Sequence, residues 1–521
     1  MTTKPATPAG LPHLVVVLFG LIVAFHLGNA LCGRSLIRAS HMGAALVYAQ
    51  GPIDLLRPVI VGFNATGSPT ALEFPVWQAA AGLAFKATGS TWYGWANIVS
   101  LLFFATALWP FFELARQYVG RRAAWWSLAF FLAQPVIVVM AGEAATDGFC
   151  LVVTLWFLFF ADKMVRSGRL EWWLPAAFFA ALSAVSKLPF FMAAGLCSLA
   201  MLIVNRVRDR SAWVGLAGAG IAAACVFGLW SRYTDSLAAR AEFPFTELRL
   251  SHSPWLAQWL FGDLRSRLSP WPWFRGGWRF LHATLGSLPL AALLLAALAR
   301  PGNRLPKLWL AGTLATTLVF TNLVLAHWHY YLMCCPAVAM LCGAALCRGE
   351  ELLAREIPSH RLRCVLAAIV LVFSAVEGVN SMKLATDLDP FTEELSRIIR
   401  EHTSPDDKLL VYNDHLIWGG EILFRSGRKG LVVSSLKGSR TTPSPKGLYD
   451  LIENEADLRR LKSLGYTRLV LTSESPAQFA VMADQPGTSR KRELYPATVS
   501  PKADACPTIF RSEDILIKEL P

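Results

Sequence analysis

The sequence predicts a polytopic α-helical membrane protein of about eleven membrane-spanning helices that ends in a small soluble α/β domain. Three observations carry this. The 521 residues are 54% hydrophobic and only 16% charged, with a mean hydropathy of +0.42, which is too apolar for an ordinary soluble chain. Apolar runs close to the length of a bilayer crossing follow one another from residue 13 to residue 380. Basic residues gather in alternate gaps between them: Arg116, Arg121 and Arg122; Lys163, Arg166 and Arg169; Arg206, Arg208 and Arg210; Arg300, Arg304 and Lys307; Arg348, Arg355, Arg361 and Arg363. Positive residues in short loops stay cytoplasmic, so these gaps face inward and the others outward.

The expected spans are 13–31, 94–114, 123–140, 147–162, 172–186, 189–204, 212–230, 281–299, 307–326, 331–347 and 364–380. This puts the N-terminus in the cytoplasm and the tail outside, in the periplasm or its equivalent. The basic gaps check the count, because one missed helix would move every later cluster to the wrong side. The run Leu14 to Leu31 is longer than a signal-peptide core, and Asn29-Ala30-Leu31 is a poor cleavage site, so it reads as a retained helix. The net charge of +13 lies in the short inward loops, so topology explains it and no nucleic-acid partner is implied. Nineteen Trp fit interfacial anchoring. The ten Cys form no C-x-x-C pair, and only Cys32 and Cys506 are placed on the oxidising side.

Two outward loops are long, 32–93 and 231–280. The first opens with a mildly amphipathic stretch, Ser35 to Gln50, that reads as a helix on the membrane surface. The second is rich in Trp and Pro and is expected to pack on the interface. The membrane domain is taken as 1–380, and the composition of 381–521 is that of a soluble domain. There Glu393 to His402 and Asp457 to Leu464 read as helices, the latter capped by Gly465. Lys408 to Tyr412, Gly430 to Ser434 and Thr467 to Thr472 read as strands. The tail has no glycine-rich phosphate loop.

By this topology the residues that look chemical all fall on the outward side: Asp54, Arg57, Glu73, Glu143, Asp147, Lys187, His327, His329, Tyr330 and Tyr331. Glu73, beside Phe74 and Pro75, has the partly desolvated setting that suits a general base; the plainer reading is a solvated loop acid. Arg57 can grip a phosphate through two N–H bonds, or simply meet lipid headgroups. Asp147 opens a helix, which is an N-capping position as well as a cleft-facing one. Glu143 lies four residues earlier. Lys187 sits in a tight turn between two apolar helices, where it either snorkels to headgroups or pairs with a lipid-linked phosphate. His327 and His329, at i and i+2, do not share a helical face, so they do not form a metal site by themselves. His329 remains a donor to phosphate or sugar.

Taken in order, these motifs resemble the GT-C superfamily of polyprenyl-phosphate-sugar-dependent glycosyltransferases. The likeness is to the bacterial branch related to protein O-mannosyltransferases and the aminoarabinose transferase of lipid A. It is carried by Glu73-Phe74-Pro75 at the end of a long first loop, Asp147 opening a helix, and the Ser186-Lys187-Leu188-Pro189 turn. Phe261-Gly262-Asp263-Leu264-Arg265-Ser266-Arg267-Leu268, His329-Tyr330-Tyr331-Leu332 and the soluble tail complete it. The ordered set is specific where no single motif is, and it covers roughly residues 10–380. One departure is plain. The superfamily's first loop usually carries an aspartate soon after the first helix, and here that region reads Arg38-Ala39-Ser40-His41. Glu73, Asp54 or His41 then supplies the base, or the activity is lost. Phe74 stands where aminoarabinose transferases often carry a lysine, which argues against that donor.

The resemblance implies an inverting glycosyltransferase that moves a hexosyl or pentosyl unit from polyprenyl phosphate to a hydroxyl of a glycan, lipid or protein acceptor at the periplasmic face. Glu73 would be the base, Asp147 would orient the acceptor or sugar, and Lys187 and Arg57 would hold the phosphate. Asp54, Glu143, His329, Tyr330 and Tyr331 would line the substrates. No dedicated oxygen cage for a metal is visible, and a divalent cation is left open because the superfamily varies in metal use. Two other classes stay on the table: a transporter or flippase of a lipid-linked saccharide, and a catalytically degenerate relative. The charges sit at helix ends rather than mid-membrane, and there is no internal repeat, which counts against transport.

Overall fold

A computed structural model describes residues 10–32, 39–59, 73–239, 254–300, 302, 304–354, 356–357, 359–383, 390–412, 420–433, 459, 462–463, 465–472, 506–511 and 515–520. In chain order the helices are α1 (Gly10–Leu31), α2 (Ala39–Gln50), α3 (Val76–Thr88), α4 (Gly94–Val119), α5 (Arg121–Ala133), α6 (Pro135–Met140), α7 (Thr146–Ser167), α8 (Trp173–Val204), α9 (Arg210–Ala239) and α10 (Pro254–Phe261). They continue with α11 (Leu264–Leu268), α12 (Pro270–Phe280), α13 (Leu288–Ala299), α14 (Arg304–Val319), α15 (Thr321–Ala326), α16 (Cys335–Leu353), α17 (His360–Lys383), α18 (Pro390–His402) and α19 (Gly420–Ser426). Five strands follow the membrane part: β1 (Lys408–Tyr412), β2 (Lys429–Val433), β3 (Arg468–Thr472), β4 (Thr508–Arg511) and β5 (Ile515–Glu519).

The chain divides into two compact units. One is Met1–Ser35, Trp92–Trp230 and Ala257–Thr386; the other is Leu36–Thr91, Ser231–Leu256 and Asp387–Pro521.

In the first unit the helices form an apolar bundle around α7, most of whose residues are buried. Each of the eleven expected spans falls on helical segments, some of them interrupted. Five described helices are long and apolar enough to cross a membrane, or six if one bent pair is a single span. Three of the expected spans, 123–140, 307–326 and 281–299, are interrupted inside. Gln134 takes extended backbone angles before Pro135 and splits α5 from α6, as expected ahead of proline. Phe320 splits α14 from α15. The bent pair, Pro270–Leu285 with Leu288–Ala299, turns through 95°. Gly286 makes that turn with φ +73, where an added Cβ would lie 2.1 Å from the Ser374 carbonyl oxygen, so no other residue fits.

The long helix α8 is two helices back to back. Lys187 alone has non-helical angles (φ −156, ψ 103). Before it, Phe179 stacks on Trp156 at 5.8 Å and the Ser183 and Thr154 hydroxyls bond at 2.7 Å. Lys187 then reaches Asp147. Past it, Phe191 returns to Phe157 at 5.6 Å. The contacts descend α7 and climb again, so the chain reverses at Lys187, as the two-span reading of 172–186 and 189–204 requires. Pro189 cannot donate to the carbonyl four residues earlier, which weakens the helix at this point.

At the basic helix ends, buried carboxylates pin the bundle. Glu350 of α16 accepts from Arg122 at 2.9 Å and from the Trp126 indole at 3.0 Å. Asp162 of α7 accepts from Tyr118 and from Arg166 at 3.0 Å. Their partners come from other helices or the next turn, so the charges are compensated rather than left bare in an apolar surround.

In the second unit α2 and α3 pack on each other, and the tail folds as a five-stranded sheet in the order β2-β1-β3-β5-β4. The first three strands are parallel, and β5 and β4 add in antiparallel fashion. Leu395, Ile398 and Ile399 of α18 and Ile422 and Leu423 of α19 bury against Leu409, Val411, Val470 and Ile517. The helix and strand expectations of the tail hold at α18, β1, β2 and β3. Residues 35–38 of the expected surface helix, Ser434, and most of 457–464 lie outside the described residues.

Candidate active site

Three segments far apart in sequence bring one cluster together in the first unit. Asp147 lies in the first turn of α7, Lys187 at the reversal of α8, and His329 and Tyr330 on a short 3-10 segment, Trp328–Met333. The Lys187 ammonium donates to Asp147 Oδ1, and the two side chains are 6% and 0% exposed. His329 Nε2 stands 3.8 Å from the same oxygen. Lys187 Nζ also lies 5.2 Å from the Tyr330 ring centroid, within cation–π range. The Tyr330 ring sits 4.7 Å from His329 and 6.3 Å from Phe190.

Local chemistry explains each placement. The break at Lys187 aims a side chain at α7 that a continuous helix would carry past it. The 3-10 segment follows the end of α15 at Ala326, and the last carbonyls of α15 are held from α12. Arg279 donates to the carbonyls of Leu325 at 2.7 Å and Ala326 at 2.6 Å. The Tyr331 hydroxyl donates to the Gly276 carbonyl at 2.8 Å. Tyr331, expected at the substrate, thus uses its hydroxyl on the scaffold. Glu143 is buried on the loop between α6 and α7, four residues before Asp147.

An ammonium has three N–H donors and no acceptor. The bond to Asp147 fixes where the Lys187 ammonium points. The buried pair is mutually compensating, since removing one partner from such a pair typically costs about 3–5 kcal/mol.

The remaining candidates belong to the second unit. His41 Nε2 and Glu73 Oε2 are 3.2 Å apart, with side chains 12% and 22% exposed. His41 also meets the buried Trp77 ring edge-on at 6.3 Å. Two of the three residues offered by the sequence as alternative bases, His41 and Glu73, are therefore partners. Glu73 stands just ahead of α3, whose first turn is capped through the Pro75 carbonyl. Asp54 accepts from the Leu56 N–H at 3.0 Å, its own carbonyl takes the Tyr48 hydroxyl at 2.9 Å, and the Arg57 N–H closes on that carbonyl at 3.3 Å. Asp54 thus builds an Asx-type turn that presents Arg57 to solvent. Burial first, and the nearby Asp54 second, push the Tyr48 phenol up.

Among the described residues no three His, Cys, Asp or Glu side chains gather as a metal-binding set. Sequence reasoning did not anticipate His26, Asn97 and Ser100, which hold the Glu143 loop. The available signal was a histidine inside the otherwise apolar α1 and an asparagine near the start of α4.

The profile of the family described as Dolichyl-phosphate-mannose-protein mannosyltransferase matches residues 75–230, which include Asp147 and Lys187. No curated protein sequence matches. Among solved structures, ArnT from Cupriavidus metallidurans bound to undecaprenyl phosphate superposes with a TM-score of 0.59 at 15% identity, over 97% of this chain and 98% of that one. Its apo form gives 0.60 at 14% identity over the same shares. The arabinofuranosyltransferase AftD from Mycobacteria gives 0.54 at 15% identity, over 99% of this chain and 42% of that one. The chain is therefore a multi-pass membrane protein with the GT-C glycosyltransferase fold and a small sheet domain near its C-terminus.

Proposed function

We propose that this chain is an inverting glycosyltransferase that moves a sugar from a polyprenyl-phosphate donor to an acceptor hydroxyl at the periplasmic face of a bacterial inner membrane. The observation that carries the reading is the buried Lys187–Asp147 pair with His329 and Tyr330 beside it, at helix ends of a fold shared with a protein that binds undecaprenyl phosphate. In the reaction the acceptor oxygen attacks the anomeric carbon as the bond to the donor phosphate oxygen breaks. The phosphate leaves with one more negative charge, and the acceptor proton goes to a base. Cations stabilise the leaving charge most when fixed beforehand in a water-poor site. Lys187, held by Asp147, meets that condition, and the exposed Arg57 adds a second cation. His329 and Tyr330 would donate to phosphate or sugar. Glu73, steadied by His41, takes the proton. Residues 1–380 then form the transferase domain and 381–521 a periplasmic domain.

The direct test is undecaprenyl phosphate titrated into the full-length protein in lipid nanodiscs. Lys187→Met alone would leave the Asp147 carboxylate uncompensated, so the paired variant Lys187→Met with Asp147→Asn removes the ammonium without stranding a charge. Binding should weaken by about tenfold or more, the scale of one charge-assisted hydrogen bond. Unchanged binding would reduce Lys187 to a structural partner of Asp147 and remove the donor reading.

A further inference from the structure

Loop 141–145, which carries Glu143 and feeds into Asp147, is gripped by buried polar side chains of α1 and α4. Asn97 Nδ2 donates to the Gly142 carbonyl at 2.5 Å. Ser100 Oγ donates to the Glu143 carbonyl at 2.7 Å. The Gly142 N–H points at His26 Nε2 at 3.2 Å, and the same nitrogen lies 2.9 Å from the Val138 carbonyl. Asn97 is fully buried, and His26 and Ser100 are 4% and 5% exposed.

His26 stands where a helical bond from Gly142 to Val138 would otherwise close, so it ends α6 by insertion into the backbone ladder. A neutral imidazole offers each nitrogen either as donor or as acceptor, never both. One Nε2 thus serves only one of its two backbone neighbours at a time. The fit is close-packed: an added Cβ at Gly142 would lie 2.5 Å from the His26 ring, and one at Gly148 would lie 2.7 Å from the Met140 carbonyl oxygen. Gly148 directly follows Asp147. The end of α6, the loop and the start of α7 therefore form one tightly seated turn, and α1 and α4 supply its fastenings.

We propose that His26, Asn97 and Ser100 are positioning residues that set Asp147, and through it the Lys187 ammonium, for the donor phosphate. This rests on the phosphate reading above. The polar side chains also have a purpose that packing alone does not supply. Three backbone groups of the loop and the Val138 carbonyl of α6 need partners inside a membrane bundle, and each unmet group would be costly in that surround.

The experiment uses the full-length protein in nanodiscs, with undecaprenyl phosphate as the probe. The variants are Asn97→Ala with Ser100→Ala, Ser100→Ala alone, and His26→Leu. Ser100→Thr and His26→Gln are the conservative controls, since a glutamine amide can donate to Val138 and accept from Gly142 at once. Amide hydrogen exchange over 138–148 is read beside the dissociation constant. The disruptive variants should exchange faster over 138–148 and bind the probe about tenfold more weakly per folded molecule, and both controls should stay near the parent. A purely structural role would lower the melting temperature and leave the dissociation constant of the folded protein alone, which overturns the proposal. Unchanged exchange over 138–148 overturns it as well. If the double Ala variant does not fold, Ser100→Ala, which removes one bond only, is read by the same criteria. The paired Lys187→Met, Asp147→Asn variant separates the two readings. Normal binding there with faster exchange in the loop variants defeats the phosphate reading and this proposal's link to the donor; weak binding there with unaltered loop variants defeats the positioning role alone.

Discussion

Asp147 and Lys187 stabilise each other as a buried pair, because losing either removes the charge that compensates the other. Asp147→Ala should cost about 3–5 kcal/mol of stability, the range for breaking a buried pair from one side. Replacing both partners with neutral residues should cost clearly less than the two single losses together. Thermal unfolding of the single and double variants in one detergent checks this, and additive losses would mean that the two groups do not compensate each other. The other residue-scale prediction concerns the proton. Glu73→Gln should lower transfer by about 10²–10⁴-fold, the usual cost of losing a general base, with undecaprenyl phosphate binding retained. His41→Ala should lose less, because it removes the partner and leaves the carboxylate. The reverse ranking, with Glu73→Gln at full turnover and His41→Ala inactive, would hand the role to His41.

Close approach of backbones decides the helix pairs that carry the cluster. Gly312 of α14 lies against α8, where an added Cβ would sit 2.5 Å from the Ala193 carbonyl oxygen and 3.2 Å from the Cys197 nitrogen. Small residues at such crossings let membrane helices pack without a gap. Gly312→Val should overpack the crossing at a cost of about 1–3 kcal/mol, seen as a lower melting temperature in detergent. Gly220→Ala, at a position with open space, should have no such effect. Equal melting of the two variants would mean the α8–α14 crossing is looser than it stands here. The reversal inside α8 belongs to this scale too. Its Lys-Leu-Pro sequence marked a turn, but the depth of Lys187 depends on α7 being enclosed on all sides by neighbours that the local sequence does not name.

At the scale of the whole molecule, the alternating basic gaps place Ala87 and Ser404 outside and Ser167 inside. All three positions lie outside the apolar spans, and Ala87, Ser404 and Ser167 are exposed. With the exposed Cys32 and Cys225 replaced by Ser, cysteines at Ala87 and Ser404 should react with an impermeant maleimide in spheroplasts, and one at Ser167 only after lysis. Reaction at Ser167 alone in intact spheroplasts would reverse the topology and move the candidate site to the cytoplasm. What composition could and could not decide here has a physical basis. Apolar length and loop charge are sums over many residues, so they survive local irregularity. They are blind to breaks such as Gln134-Pro135 and Phe320, which divide expected spans without changing their hydropathy.

The sequence by itself determined the membrane class, the soluble α/β tail with its strands β1, β2 and β3, and the residue types at the candidate site, because hydropathy pattern and charge asymmetry are local properties of the chain. It named Asp147, Lys187, His329 and Glu73 as separate features. Only the tertiary structure decided that Lys187 answers Asp147, that His41 answers Glu73, that Tyr331 is committed to Gly276, and that His26, Asn97 and Ser100 fasten the Glu143 loop. The reason is that partnership between groups 32 to 116 residues apart depends on where helices cross and where the chain reverses. Those are set by the packing of the whole bundle, and no window of sequence contains them.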